Sequence, residues 1–232
     1  MVHISGRIGS MSYNILQGSG LTLFEGIGFI QKRFPYYIKN KLEDSYSNLK
    51  YSVQMIEKCL ENLYFDISEI YKMIIFDILI GNSDRHHSNW AITHHIEIKD
   101  NMKILALNLC PLYDNGSSLC SYENNTKVEI FFKDKMKFEA LVNTKSKSAI
   151  GWENERPIRH FELLQKLKEN VYDLTINYII KIKDNINEQN IDDLLNEFDN
   201  NIISEDMKKL LKMYILERRK RMLEIYNLKD EV

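Results

Sequence analysis

Cysteine is scarce in this chain of 232 residues. Cys59, Cys110 and Cys120 lie at no metal-ligand spacing, and an odd count argues against a disulfide framework. They read as reduced thiols in or near a core. An excess of charge of one sign is also lacking. Thirty-one Lys and Arg against 33 Asp and Glu leave a formal net charge of −2, which gives no electrostatic case for nucleic acid as a direct partner. No apolar run reaches the roughly 18 residues that a membrane span needs, and no charged-then-apolar leader opens the chain. No repeat period appears. These absences set the expectation of a cytoplasmic protein that does not enter membranes. With 44% hydrophobic and 28% charged residues, the chain is long enough for one large domain, or one and a half, with an ample core.

What is present is concentrated in two short stretches. An apolar, helix-like run from Glu69 to Ile80 stops at Gly81-Asn82, and the polar cluster Ser83-Asp84-Arg85-His86-His87-Ser88-Asn89 follows before Trp90. Downstream stands Pro111-Leu112-Tyr113-Asp114-Asn115-Gly116. Phosphoryl transfer needs such groups: a carboxylate near the acceptor hydroxyl, and oxygen ligands for a magnesium ion that bridges nucleotide phosphates. Asp84 fits the first role. Asn89, five positions on, and Asp114 fit the second, as a neutral and an anionic oxygen donor. Each of the three alone reads as a loop or capping residue; the combination carries the signal. Arg85 and His86 stand between them as orienting groups of the catalytic set, His86 expected to bond the Asp114 backbone or Asp84. Asn82 reads as a brace on the nucleotide side of the loop.

The separation of Asp84 and Asn89 matches that of the catalytic Asp and metal-binding Asn of protein kinases, and Asp114-Asn115-Gly116 stands where they carry Asp-Phe-Gly. The two stretches, extended through Ser117-Ser118-Leu119, resemble the C-terminal kinase domain of HipA-like serine/threonine kinases. The order Asp-Arg-His is also similar to the catalytic loop of phosphatidylinositol kinases. The resemblance implies an α+β fold, mostly α-helical, built as the C-terminal lobe of a protein-kinase-like fold with a small catalytic β-hairpin. It implies residues 1–20 as a residual N-lobe strand and hinge, and 21–232 as the C-terminal kinase lobe. The family's phosphate-pairing lysine and Gly- or Ser-rich loop have no counterpart in the sequence, so the N-terminal lobe is expected to be largely missing. The implied activity is ATP- and Mg2+-dependent phosphoryl transfer to protein Ser or Thr. The implied partners are a protein substrate and either an antitoxin, as for bacterial toxins of the family, or a complementary N-lobe protein. The alternative is a catalytically silent kinase-fold remnant that binds a protein, as in toxin–antitoxin pairs.

The remaining chain reads by pattern. Met1–Leu16 alternates loosely, as one strand or a bent pair. Leu21–Phe34 suits a short helix or turn closed by Pro35, followed by a Tyr-spotted connection whose rings suit a partly buried patch better than base stacking. Leu49–Leu63 and Phe65–Ile80 have helical spacing, the second apolar nearly all round and therefore central. Asp77 interrupts that run. Trp90–Ile98 and Met102–Leu109, separated by Lys99-Asp100-Asn101, predict a hairpin that brings Asp114 back beside Asn89. Tyr122–Lys147 reads as an exposed loop with a short strand or helix near Val128–Phe138. Trp152, Arg156, Pro157 and His160 suit either a docking shelf or, better, an aromatic anchor at a helix start. Helices are expected over Phe161–Glu169, Val171–Ile186, Ile191–Phe198 and Glu205–Tyr226. Arg218-Arg219-Lys220-Arg221 spreads around a helix and reads as a solvated helix end.

Overall fold

A helix with no polar face can satisfy its side chains only inside a protein, and the run before the polar loop is such a helix. In the computed structural model, which describes residues 2–4, 7–9, 21–99, 102–123 and 128–230, Ser68–Ile80 is helical and nine of its residues, Asp77 among them, are buried. This central helix is flanked by Val53–Leu60, whose N-cap Ser52 accepts a hydrogen bond from the Met55 N–H, and by the long His160–Asn185 and Glu205–Ile225 helices. Val171 takes a non-helical conformation (φ −138°, ψ 38°) inside the first of these. The sequence reading divides two helices at that point, and the kink separates the same two halves. Glu188–Asn196 forms the short intervening helix.

In chain order the strands are β1 (Val2–Ile4), β2 (Arg7–Gly9), β3 (Thr22–Glu25), β4 (Tyr37–Ile38), β5 (Glu43–Asp44), β6 (Ala91–Lys99), β7 (Met102–Leu109), β8 (Lys147–Ser148) and β9 (Ile158–Arg159). The helices are α1 (Gly26–Arg33), α2 (Val53–Leu60), α3 (Ser68–Ile80), α4 (Glu129–Lys133), α5 (Lys135–Glu139), α6 (His160–Asn185), α7 (Glu188–Asn196) and α8 (Glu205–Ile225). The architecture is therefore α+β and mostly helical, with small sheets, as expected. Among the described residues no helix is long and apolar enough to cross a membrane.

The expected hairpin is β6–β7, antiparallel with Ile92 opposite Leu109; its Asp100-Asn101 turn lies outside the described residues. β1 and β2 pair antiparallel, in line with a bent pair, while the rest of the expected segment to Leu16 lies outside the described residues. The reading of Leu21–Phe34 as one helix or turn needs correction. Thr22–Glu25 is extended and adds to the hairpin as a third strand, Phe24 opposite Ile92, and only then does α1 begin. A partner about 70 residues away in sequence overrides local spacing here. Tyr122–Lys147 carries the expected short helix near Val128–Phe138, as α4 and α5, but is not an exposed loop around it. Its described part winds into α4, α5 and a π-helical turn (Ala140–Thr144), with Val128, Phe131 and Val142 buried against Leu195, Leu210 and Leu211.

Candidate active site

The polar loop begins where α3 ends. Gly81 adopts the left-handed conformation (φ 70°, ψ 33°), and both its own N–H and that of Asn82 return to the Asp77 carbonyl. Space as well as conformation excludes a side chain there, because a Cβ on Gly81 would lie 1.9 Å from the Tyr214 Oη of α8.

Asp77, the polar interruption of α3, is 3% exposed and holds the loop from below. Its carboxylate accepts from Arg85 Nε (2.9 Å) and Nη2 (2.8 Å) and from Asn82 Nδ2 (3.0 Å). Burial pushes the Asp77 pKa up, while the Arg85 guanidinium and the Asn82 amide oppose that shift. Arg85 Nη1 donates to the carbonyls of Asn89 (2.7 Å) and Tyr113 (2.6 Å), and Nη2 also reaches Asn115 Oδ1 (2.5 Å). Every N–H of this buried guanidinium is thus used. One side chain ties the central helix, the Asn82–Asn89 loop and both residues that flank Asp114.

The loop is braced internally as well. Asn82 Oδ1 accepts the Asp84 N–H (3.1 Å), and Asn89 Nδ2 donates to the Asp84 carbonyl (2.7 Å). Because that bond fixes the amide nitrogen, Asn89 Oδ1 is left as a free acceptor. Tyr51 Oη donates to the Arg85 carbonyl and accepts from Trp90 Nε1. The Asp114 segment is fixed by Tyr113 Oη to the Ser88 carbonyl (3.0 Å) and by the Ser83 N–H to the Ser117 carbonyl (3.1 Å). Asp114 itself has a positive φ of 52°. The carboxylates of Asp84 and Asp114 are both exposed, and among the described residues neither accepts a hydrogen bond or an ion pair.

Asn82, Asp84, Arg85, Asn89 and Asp114 therefore belong to one bonded assembly. His86 departs from expectation. Its Nδ1 accepts the Ser88 N–H (3.2 Å), so the ring caps its own tight turn and contacts neither Asp84 through its side chain nor the Asp114 backbone. The neighbouring His87 is the buried one, hydrogen-bonded to Tyr37 Oη (3.1 Å), with its pKa pushed down to about 4 chiefly by burial.

Two further braces come from distant sequence. His160 Nε2 donates to the Asn82 carbonyl (3.0 Å), while its Nδ1 accepts from Arg218 Nη2 (3.0 Å). Burial and the Arg218 charge push the His160 pKa well below the usual histidine range. Trp152 is buried in the main core, so this segment acts as an anchor at the start of α6. Arg218 corrects the solvated reading of its basic run. It is fully buried, and it donates to the carbonyls of Ile78 (2.7 Å from Nε), Leu79 (3.2 Å) and Val142 (2.5 Å). These include carbonyls that the end of α3 leaves without intrahelical partners. Asp77 was discoverable from sequence, because a lone carboxylate in a helix apolar all round must find a cation. No local pattern marks His160 or Arg218.

Comparison with known proteins places the chain as a whole. The HipA-like C-terminal domain family matches residues 34–200. The chain belongs to that family. Among solved structures, this HipA-like domain is similar to the crystal structure of a Helicobacter pylori proinflammatory kinase, CtkA, with a TM-score of 0.70 and 16% identity over 90% of this chain and 71% of that one. At that identity the likeness establishes a shared kinase-like fold. A comparison with curated proteins finds no match.

The donor chemistry of the HipA-like loop can be tested against the ion the fold implies. Among the described residues no group of three or more His, Cys, Asp or Glu could hold a metal, which argues against a closed protein cage. A hard cation carried largely by water and nucleotide phosphates needs only one or two protein oxygens. The unpaired Asp114 carboxylate and Asn89 Oδ1 fit that requirement.

Proposed function

We propose that this HipA-like domain transfers the terminal phosphoryl group of ATP to serine or threonine hydroxyls of a protein substrate. The observation that carries this reading is the Arg85 clamp, which joins Asn89 and both neighbours of Asp114 while the carboxylates of Asp84 and Asp114 remain unpaired. Asp84, on a loop whose backbone is fixed on both sides, orients the acceptor hydroxyl and accepts its proton. Asn89 Oδ1 and the Asp114 carboxylate would hold Mg2+. When bound, magnesium-ATP supplies the transferable group and neutralises the charge that develops on the phosphate oxygens. Arg85, Asn82 and Asp77 do no chemistry; they hold the two motifs in register, which is where catalysis by positioning gains most. His86 is assigned to the loop turn. The phosphate-pairing lysine and the phosphate-covering loop are assigned to a lobe outside this sequence, acting in cis or as a separate protein.

The test is transfer of labelled phosphate from ATP to protein, with and without such a lobe, under added Mg2+. Asp84→Ala is expected to lower transfer by about 10²–10⁴-fold and to leave the melting temperature unchanged, because the carboxylate supports nothing in the fold. Full transfer by that variant would discard the assignment. Absence of transfer and of magnesium-ATP binding in every combination would instead leave a silent kinase-fold module that binds a protein.

A further inference from the structure

A further concave site is lined by none of Asp84, Asn89 and Asp114. It is a cavity of about 390 Å³ between α3, the second half of α6 and the segment Leu109–Leu112 that leaves β7, within the ~300–1,000 Å³ range of small-molecule sites. Its wall along α3 runs from Glu69 to Leu79, which at the helical rise is roughly 15 Å, so the cavity is an elongated trough.

The two ends differ in chemistry. At the N-terminal end of α3, Glu69 accepts from Tyr178 Oη (3.3 Å) and pairs with Lys72 (3.3 Å). Lys72 and Lys181 place their ammonium groups 5.6 and 5.8 Å from the centroid of the Tyr178 ring. Lys181 is exposed and has no ion-pair partner among the described residues. One carboxylate against two ammonium groups, paired with Lys72 only, leaves a single net positive charge at this end. The other end lies beside the second half of α3, since Arg85 bonds both Asp77 and the Tyr113 carbonyl. It is lined by Phe76, Leu79, Pro111 and Leu112. Phe76 is 37% exposed, an unusual position for an aromatic ring on the most apolar helix of the molecule.

We propose that this trough is a binding site for a long-chain monocarboxylate, its carboxylate at Lys181, the ammonium that Glu69 leaves without an ion pair, and its alkyl chain along Phe76 toward Pro111 and Leu112. Burial of the chain supplies the affinity, and the unbalanced ammonium fixes its direction. A compact anion would leave the apolar end unfilled, and a neutral hydrocarbon would leave Lys181 unpaired.

Calorimetric titration of the full chain with dodecanoate, below the concentration at which it self-associates, reads the site directly and independently of kinase activity. Saturable binding of one molecule is expected. Lys181→Glu reverses the charge at one exposed end, and Pro111→Glu places a charge at the other; each is expected to weaken dodecanoate by about tenfold or more. Dodecanol is expected to bind the unaltered protein at least about tenfold more weakly than dodecanoate. No saturable binding, equal affinity for dodecanol, or unchanged affinity in both variants would each overturn the proposal. So would binding of an acidic apolar peptide in the trough with no binding of dodecanoate, which would make it a protein-docking groove.

Discussion

Two histidines, His87 within the loop and His160 packed against it, are held neutral, and this couples the loop's integrity to pH. His160 is kept well below its usual pKa by burial and the Arg218 charge, and His87 is pushed down to about 4 by burial, with His86 and Lys39 adding to the shift. Unfolding restores both to roughly 6.5, so below that pH the unfolded chain binds protons that the folded chain refuses. Their contribution is complete above about pH 7 and is lost as pH falls, with a slope that approaches ~1.4 kcal/mol per pH unit for each histidine. Urea denaturation should show a clear fall in stability between pH 7 and pH 5. His160→Gln, which keeps an N–H for the Asn82 carbonyl, should remove about half of that slope. A stability profile that stays flat over this interval would mean that neither ring is protected as described.

The junction of α3 with α8 decides how the loop is presented. Gly81→Ala forces an L side chain into the left-handed region, at a cost of roughly 1–2 kcal/mol, and drives its Cβ into Tyr214 Oη at 1.9 Å. Tyr214→Phe removes that oxygen and leaves the ring carbon at 3.0 Å. The double variant should therefore recover part of the loss, the part due to collision, in a double-mutant cycle of urea midpoints. Arg218→Met should cost more, about 3–5 kcal/mol, because it strips the carbonyls of Ile78, Leu79 and Val142 of their donor in a dry site. A loss below 1 kcal/mol would show that water replaces the guanidinium there. Helix elements were legible where the signal is local: the apolar run of α3, the hairpin strands, and the division of α6 at Val171. Where two distant segments share one interaction, spacing carried no trace of it. The pairing of Thr22–Glu25 with the hairpin and the burial of Arg218 within a run of four cations are both of this kind.

Over the whole molecule, the Asp84, Asn89 and Asp114 pattern could be read because loop chemistry leaves unusual residue types at fixed separations. How the pattern is held together was less legible: Asp77 and Arg85 both stand out by residue type, but that they are buried against each other follows only from the fold. The register of the two motifs is concentrated on one side chain. Arg85 is 1% exposed and connects α3, the loop and the Asp114 segment, yet on the reading proposed above it touches neither nucleotide nor acceptor. Lysine at this position keeps the charge but offers fewer donors, without the planar fork that fits the Asp77 carboxylate. Arg85→Lys is therefore expected to lower stability by about 2–4 kcal/mol, through carbonyls and a carboxylate left short of partners in a buried site. It is also expected to weaken magnesium-ATP binding by loosening Asp114 relative to Asn89. The variant is best compared with Asp114→Asn, which alters a proposed ligand and leaves the clamp intact: that change should raise the magnesium requirement with little effect on the urea midpoint. If Arg85→Lys lowers stability and leaves magnesium-ATP affinity untouched, the clamp supports the fold alone, and the register of the two motifs is set by the sheet.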